Sequence, residues 1–312
     1  MKDENMNKRL RNECAFSLIC SAEDAANMIE DGMAVGISGF TNAGYPKAVP
    51  HALAEQAKTG RKVKIDLYSG ASVGPEVDTE LTEAAVIGKR IPYQTNSVLR
   101  KSINAGDVGY IDMHLGRSPE FVAAGHVRKP DIALVEALAI TENGDLVPTT
   151  SVGNTPAYVA EADAVIVEIA MAKPLELEGM ADVYMCEKPP LRQPIPLTHP
   201  GERIGTPYIK CGWDKIKAIV LSDKTDLTRP LAAISEDSKK IGENIIKFLE
   251  GEVSEGRLGK SLLPIQSGVG SVANAVLYGL RDSEFENLTC YTEVIQDSML
   301  DLVKCGKAIV AS

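Results

Sequence analysis

The sequence predicts an α/β protein built as two domains on open, largely parallel sheets. Three observations carry this. Apolar, β-rich runs alternate with helix-like segments through most of the chain, the layering that a parallel sheet covered by helices imposes. The 312 residues, 44% hydrophobic and 24% charged, exceed one domain of roughly 100 to 200 residues and can fill a sizeable core. A proline-dense stretch and a connector divide the chain near residue 225, giving an N-terminal domain over 1–225 and a C-terminal one over 226–312.

The elements follow in order. Ser21 can cap a helix through Met28 and Ile29 that stops at Gly32. Met33–Ser38 reads as a strand, and Pro46 suits the first turn of a helix closing at Gly60. Further strands are expected at Val63–Tyr68, Asp131–Ala139, Ala164–Ala170, Lys217–Leu221, Leu262–Gln266, Leu288–Ile295 and Ala308–Ala311. Thr141-Glu-Asn-Gly-Asp145 is a hairpin turn, because Asn-Gly accepts the positive φ angles required, so the sheet should be mixed locally. Lys173–Pro207 holds Pro174, Pro189, Pro190, Pro194, Pro196, Pro200 and Pro207, which rules out a long helix or a central strand and leaves an ordered excursion. Thr225–Pro230 reads as a connector and Glu236–Gly256 as a long amphipathic helix. The closing run Ala308–Ala311 looks like a strand just completed, so the second domain reads as incomplete.

Composition excludes several classes of partner. A net charge of −10, from 33 basic against 43 acidic residues, argues against nucleic acid or an anionic membrane surface, both of which reward Lys and Arg. Met1–Arg11 is polar, and no stretch of 18 apolar residues occurs. Six scattered cysteines without a C-x-x-C pair fit reduced thiols, and a cytoplasmic protein is expected. His51, His114, His126 and His199 lie far apart with no ligand spacing, so no metal site is expected.

Two glycine loops and one carboxylate stand out. The first loop is Gly36-Ile-Ser-Gly39-Phe-Thr-Asn-Ala-Gly44-Tyr-Pro-Lys47, between a strand and a helix; it reads equally as a ligand-approaching loop or a tight turn. Lys47 can pair with a carboxylate or phosphate, or simply be a solvated first-turn residue. The second loop, Ser267-Gly268-Val-Gly270-Ser-Val-Ala273, fits G-x-G-x-x-A, the dinucleotide fingerprint in its permitted variant. Glu293 stands where a ribose-binding acid would be, about 20 residues beyond Ala273. Leu288, Tyr291, Val294 and Ile295 surround it, which suggests a carboxylate in apolar company: a salt-bridged strand acid, a ribose ligand or a nucleophile. Asp297 and Asp301 read as ordinary helix-start and helix-face acids.

Two blocks taken together, Gly39-Phe-Thr-Asn-Ala-Gly-Tyr-Pro-Lys47 and Tyr291-Thr-Glu293-Val-Ile-Gln-Asp-Ser298, resemble class I coenzyme A transferases, more narrowly the acetyl-CoA hydrolase/transferase family. The resemblance implies two similar open-sheet α/β domains, the second incomplete here. It implies that Glu293 attacks an acyl-CoA to give a mixed anhydride and then a glutamyl-CoA thioester, from which an acceptor carboxylate retrieves the CoA. Gly268, Val269, Gly270, Ser271 and Val272 match the family's CoA-binding turn, which displaces the dinucleotide reading. Thr41, Gly44 and Pro46 would line a small acyl or carboxylate pocket. The implied activity moves CoA between small carboxylic acids, succinyl-CoA and acetate among them; acetyl-CoA hydrolysis, or an inactive fragment or subunit needing its missing C-terminal part, are the alternatives. CoA enters as substrate, with no tightly bound cofactor and no metal. A homo-oligomer, such as a homodimer, or assembly with a complementing C-terminal segment is expected. Family members continue beyond the last strand, where the resemblance places an oxyanion loop. Removing one such donor typically lowers rate by roughly 100 to 1,000-fold, so residues 1–312 alone are expected to be impaired.

Overall fold

A computed structural model describes residues 4–228 and 233–312. Met1–Asp3 at the polar start, and the last two residues of the expected connector, Arg229 and Pro230, lie outside these. The described residues fall into two compact units, one drawn from Met1–Pro189 and Gly205–Arg229, the other from Pro190–Ile204 and Pro230–Ser312.

The first unit is a seven-stranded parallel sheet. Its strands are β1 (Ala34–Gly36), β2 (Ile65–Tyr68), β3 (Ile87–Ile91), β4 (Gly109–Tyr110), β5 (Ile132–Ala137), β8 (Ala164–Ala170) and β9 (Ile216–Ser222), in the order β4-β3-β2-β1-β5-β8-β9. The remaining strands of this unit, β6 (Ala139–Ile140) and β7 (Leu146–Val147), form the expected Asn-Gly hairpin as a separate antiparallel pair, with Gly144 at φ 83°. The local mixing therefore lies in its own small sheet, outside the large one. Helices cover both faces, so the central strands are apolar almost throughout; β5 is buried along its whole length. One core joins the helix Ala48–Lys58, through Val49, Ala52 and Leu53, to Val35, Leu67 and Leu134. The other joins Tyr158 and Val159 of the helix Thr155–Glu161 to Ala133, Val135 and Val167.

β2 to β4 step outward on one side of β1, and β5, β8 and β9 on the other. The strand order thus reverses at β1, where the chain returns from β4 to β5. In open α/β sheets the loops beyond the strand ends at such a switch point form the crevice that ligands use.

The second unit holds β10 (Leu288–Cys290) and β11 (Ala308–Ala311), paired in parallel, under the helices Glu236–Ser254, Ser271–Asp282 and Asp297–Lys304. Ser235 caps the long helix by accepting the Ser238 N–H at 3.1 Å. Leu277, Leu280, Phe285, Leu288, Met299 and Leu302 form its core. Residues 190–204 of the proline-dense excursion belong to this unit: a Cβ built on Gly201 would stand 3.3 Å from the Val310 side chain.

Two strand expectations are corrected. Leu262–Gln266 is not a strand; it makes a single bridge, Ile265 to Cys290, because Leu262 takes a positive φ of 54° and Pro264 has no N–H to give a ladder. The strand expected over Leu288–Ile295 ends at Cys290; Thr292 still donates its N–H to the Ser312 carbonyl at 2.8 Å, and the chain then runs as a loop to the helix at Asp297.

Candidate active site

The first glycine loop is at the switch point, leaving the end of β1. Phe40 and Ala43 exchange backbone hydrogen bonds of 2.9 Å across Thr41 and Asn42, whose φ angles of 48° and 68° make a two-residue turn of the kind that closes hairpins. Gly44 follows at φ 63°; a Cβ there would stand 2.3 Å from Ser151 Oγ. Thr41 is exposed at the tip, while Gly44 and Pro46 are buried. Of the three expected pocket residues, then, Thr41 can meet a ligand, whereas Gly44 and Pro46 shape the loop from beneath.

Lys47 is fully buried, so the solvated reading is overturned and the carboxylate pairing holds. Its Nζ lies 2.5 Å from Glu136 Oε2 and 2.9 Å from Asp226 Oδ1, and donates to the Tyr45 carbonyl at 2.7 Å. Lys173 answers from the other side, 2.7 Å from Glu136 Oε1 and 2.7 Å from Asp226 Oδ2. Burial alone would lower the Lys47 pKa, but the facing Glu136 and Asp226 carboxylates more than offset it and hold it above the usual lysine range. Thr149 donates to Glu136 and Thr150 to Asp226, each at 2.7 Å. Two cations and two anions thus close a neutral, hydrogen-bonded knot under the loop.

Glu136 on β5 and Glu168 on β8 are partners in strand register, so their carboxylates leave the sheet on one face. Glu168 takes a different task, accepting the N–H groups of Lys47 at 2.8 Å, Ala48 at 2.8 Å and Val49 at 3.2 Å at the start of the helix Ala48–Lys58. Burial pushes its pKa up against these bonds. Tyr45 is also buried, and its hydroxyl donates to Glu76 at 2.7 Å. A lone acid inside an apolar strand, as in Ile132-Ala-Leu-Val-Glu136-Ala and Ala164-Val-Ile-Val-Glu168-Ile-Ala, is the sequence signal that marks these two buried carboxylates.

The second glycine loop and Glu293 lie in the second unit. The helix Ser271–Asp282 begins at Gly270 with φ 154° and no side-chain cap, leaving its first-turn N–H groups turned toward the glycine loop. Nothing lies within 4 Å of a Cβ built on Gly268 or Gly270, and Val269 and Val272 are exposed. The turn Gly268–Val272 is therefore open to a ligand along one side. Glu293 sits in the loop between β10 and the helix Asp297–Lys304, and it is exposed. The expectation of a buried acid in apolar company is corrected: Tyr291 and Ile295 are 48% and 45% exposed, because the strand stops before them. The Glu293 loop and the glycine turn are nonetheless brought together. The Gln296 Nε2 donates to the Gly268 carbonyl at 2.8 Å, and the Thr292 hydroxyl to the Ser267 carbonyl at 3.1 Å. These residues passed unremarked as chemistry in the sequence, since polar side chains beside a carboxylate carry no spacing signal.

Among the described residues no group of three or more His, Cys, Asp and Glu is placed to hold a metal ion, and no helix is long and apolar enough to cross a membrane.

The family model for the acetyl-CoA hydrolase/transferase N-terminal domain matches residues 4–241. The chain belongs to that family. Among its relatives, a succinyl-CoA:acetate CoA-transferase of Clostridium kluyveri is 55% identical over 306 residues, covering 98% of this chain and 57% of the relative. An acetyl-CoA hydrolase of Kluyveromyces lactis is 38% identical, covering 91% of this chain and 56% of that protein. The chain thus spans a little over half the length of the family members it matches. In fold it is similar to RipA of Yersinia pestis, with a TM-score of 0.67 at 17% identity over 97% of this chain and 60% of that one. A 4-hydroxybutyrate CoA-transferase of Porphyromonas gingivalis gives 0.59 at 17% identity, over 95% and 59%.

Proposed function

We propose that this member of the acetyl-CoA hydrolase/transferase family serves as a CoA-transferase between small carboxylic acids, with succinyl-CoA and acetate as donor and acceptor and Glu293 as nucleophile. The observation that carries the reading is the stitching of the Glu293 loop to the turn Gly268–Val272. A nucleophile tied to an uncapped helix start suits a ligand whose polar backbone docks on the N–H groups while its thioester faces the carboxylate. The named activity of the 55% identical relative supports the choice of substrates.

The chemistry follows from the carboxylate. A Glu293 oxygen attacks the acyl carbonyl and the CoA thiolate leaves, giving a mixed anhydride. The thiolate then attacks the glutamyl carbonyl, expelling the donor acid and leaving a glutamyl-CoA thioester. The acceptor carboxylate repeats these steps in reverse, so the thioester bond is neither lost nor made anew. Binding energy from the remote parts of CoA offsets the uphill step to the anhydride.

The test is covalent trapping. The full chain is incubated with acyl-CoA without acceptor, then treated with hydroxylamine or borohydride. Modification confined to the peptide holding Glu293, and absent in Glu293→Gln, is expected. Turnover with that peptide unmodified refutes the assignment. A second reading, acyl-CoA hydrolysis at the same residue, is favoured by the exposure of Glu293, which admits water. Thiol release that needs no added carboxylate would select it.

A further inference from the structure

The loop that carries Glu293 does not hang freely from β10. Two of its side chains reach the segment that bears the glycine turn, and a third, from the first turn of the following helix, reaches the helix beyond that turn. The Thr292 hydroxyl donates to the Ser267 carbonyl at 3.1 Å and receives the Ser267 N–H at 3.4 Å. The Gln296 Nε2 donates to the Gly268 carbonyl at 2.8 Å and lies 3.4 Å from Ser267 Oγ. The Ser298 hydroxyl donates to Asn274 Oδ1 at 2.9 Å, both residues being buried. Glu293 stands between the first two of these stitches with its own side chain in the open.

Gln296 is the informative one. The Gly268 carbonyl only accepts, so the atom facing it must be Nε2, and the amide cannot be turned round. That orientation leaves Oε1 buried with no hydrogen-bond partner among the described residues, Gln296 being only 4% exposed. A half-satisfied buried amide contributes less to stability than one with both ends paired. Gly268 itself is exposed, so its carbonyl would find water without Gln296.

We propose that Thr292 and Gln296 are positioning residues, which hold Glu293 in fixed register with the turn Gly268–Val272. The inference rests on the reading of Glu293 as nucleophile and adds how an exposed loop keeps it aimed. A nucleophile displaced by about 1 Å loses rate on the order of 100-fold, so a carboxylate on an untethered loop would squander the geometry the turn provides.

Thr292→Val keeps the volume and removes the hydroxyl, Thr292→Ser restores the hydroxyl, and Gln296→Met keeps the shape without the amide. Three quantities are read for each: the rate at which acyl-CoA labels Glu293, the equilibrium affinity for CoA, and the thermal midpoint. Thr292→Val and Gln296→Met should slow labelling about 10-fold or more while CoA affinity stays nearly constant. Thr292→Ser should recover most of the rate. The Gln296→Met midpoint should stay level or rise, which a merely structural glutamine would not allow. Labelling at the wild-type rate in both variants overturns the proposal, as does a rate loss that tracks a fall in midpoint. Amide exchange gives an arm independent of chemistry: both variants should speed exchange across 291–296 relative to the helix Glu236–Ser254. If the wild-type chain takes no label, the failure lies with the nucleophile reading or with the activity of residues 1–312 and not with the tether, which unchanged exchange at 291–296 then overturns by itself.

Discussion

Replacing Lys47 by Met tests the buried knot beneath the first glycine loop. Lys47 is fully buried, the Glu136 side chain is 2% exposed and that of Asp226 11%, so water cannot make up for what is removed. In the wild type two cations face two anions. The variant leaves two carboxylates sharing Lys173 alone, a net negative charge in a dry site. Each contact near 2.9 Å is worth about 6 kcal/mol gross at an effective dielectric of 20, mostly offset by the desolvation of Lys47 that the variant no longer incurs. Breaking a buried pair on one side costs about 3–5 kcal/mol net. For a unit the size of the first one, roughly 200 residues, that lowers the melting temperature by roughly 6–20 °C. Urea unfolding of Lys47→Met, Glu136→Gln and the double variant measures it. Because Glu136→Gln removes the surplus charge, the double variant should be more stable than the sum of single losses by about 1 kcal/mol or more. A loss below about 1 kcal/mol in Lys47→Met, or additivity within about 0.5 kcal/mol, refutes the account.

Other outcomes follow from the same structure. Burial alone would raise the Asp226 pKa, but Lys173 and Lys47 hold it below the usual carboxylate range, so its contribution exists above pH ~4 and is lost as pH falls through the folded value. Asp226→Asn should therefore lower stability at pH 7 and flatten the acid limb, as urea midpoints at pH 7 and pH 3 will read. Gly44→Ala should cost about 1–3 kcal/mol in backbone strain alone, before its clash with Ser151, whereas Gly251→Ala, in the helix Glu236–Ser254 with nothing within 4 Å, should gain about 0.5–1 kcal/mol. Burial pushes the Cys211 thiol up to about 12, so a thiol reagent at pH 8 should modify the exposed Cys14 and Cys305 at once, and Cys211 and the buried Cys290 only on unfolding.

Where local pattern and tertiary environment agreed, the sequence was easy to read. Ala164–Ala170 and Ala308–Ala311 are strands at the expected residues: the first is a β-branched run buried almost throughout in the covered sheet, and the second pairs with β10 while Ile309 faces out. The expected cap at Ser21 accepts the Asp24 N–H. β3 and β4 escaped notice. β3 reads Ile-Gly-Lys-Arg-Ile, and its Arg90 is fully buried against Asp78, with N–O contacts of 3.3 Å, a pairing between residues 12 apart that no periodicity announces.

The sequence by itself determined the α/β class and the two glycine loops, since turn chemistry and apolar periodicity are local properties of the chain; its local pattern left Glu293 open between three readings, and only the resemblance singled it out. Tertiary structure alone decided that Lys47 is buried and ion-paired, that Glu293 is exposed on a loop beyond its strand, and that Thr292 and Gln296 stitch that loop to the glycine turn. The physical reason is common to all three: burial and hydrogen bonding depend on partners 25 to 180 positions away, such as Ser267 for Thr292 and Asp226 for Lys47, which only folding brings within reach.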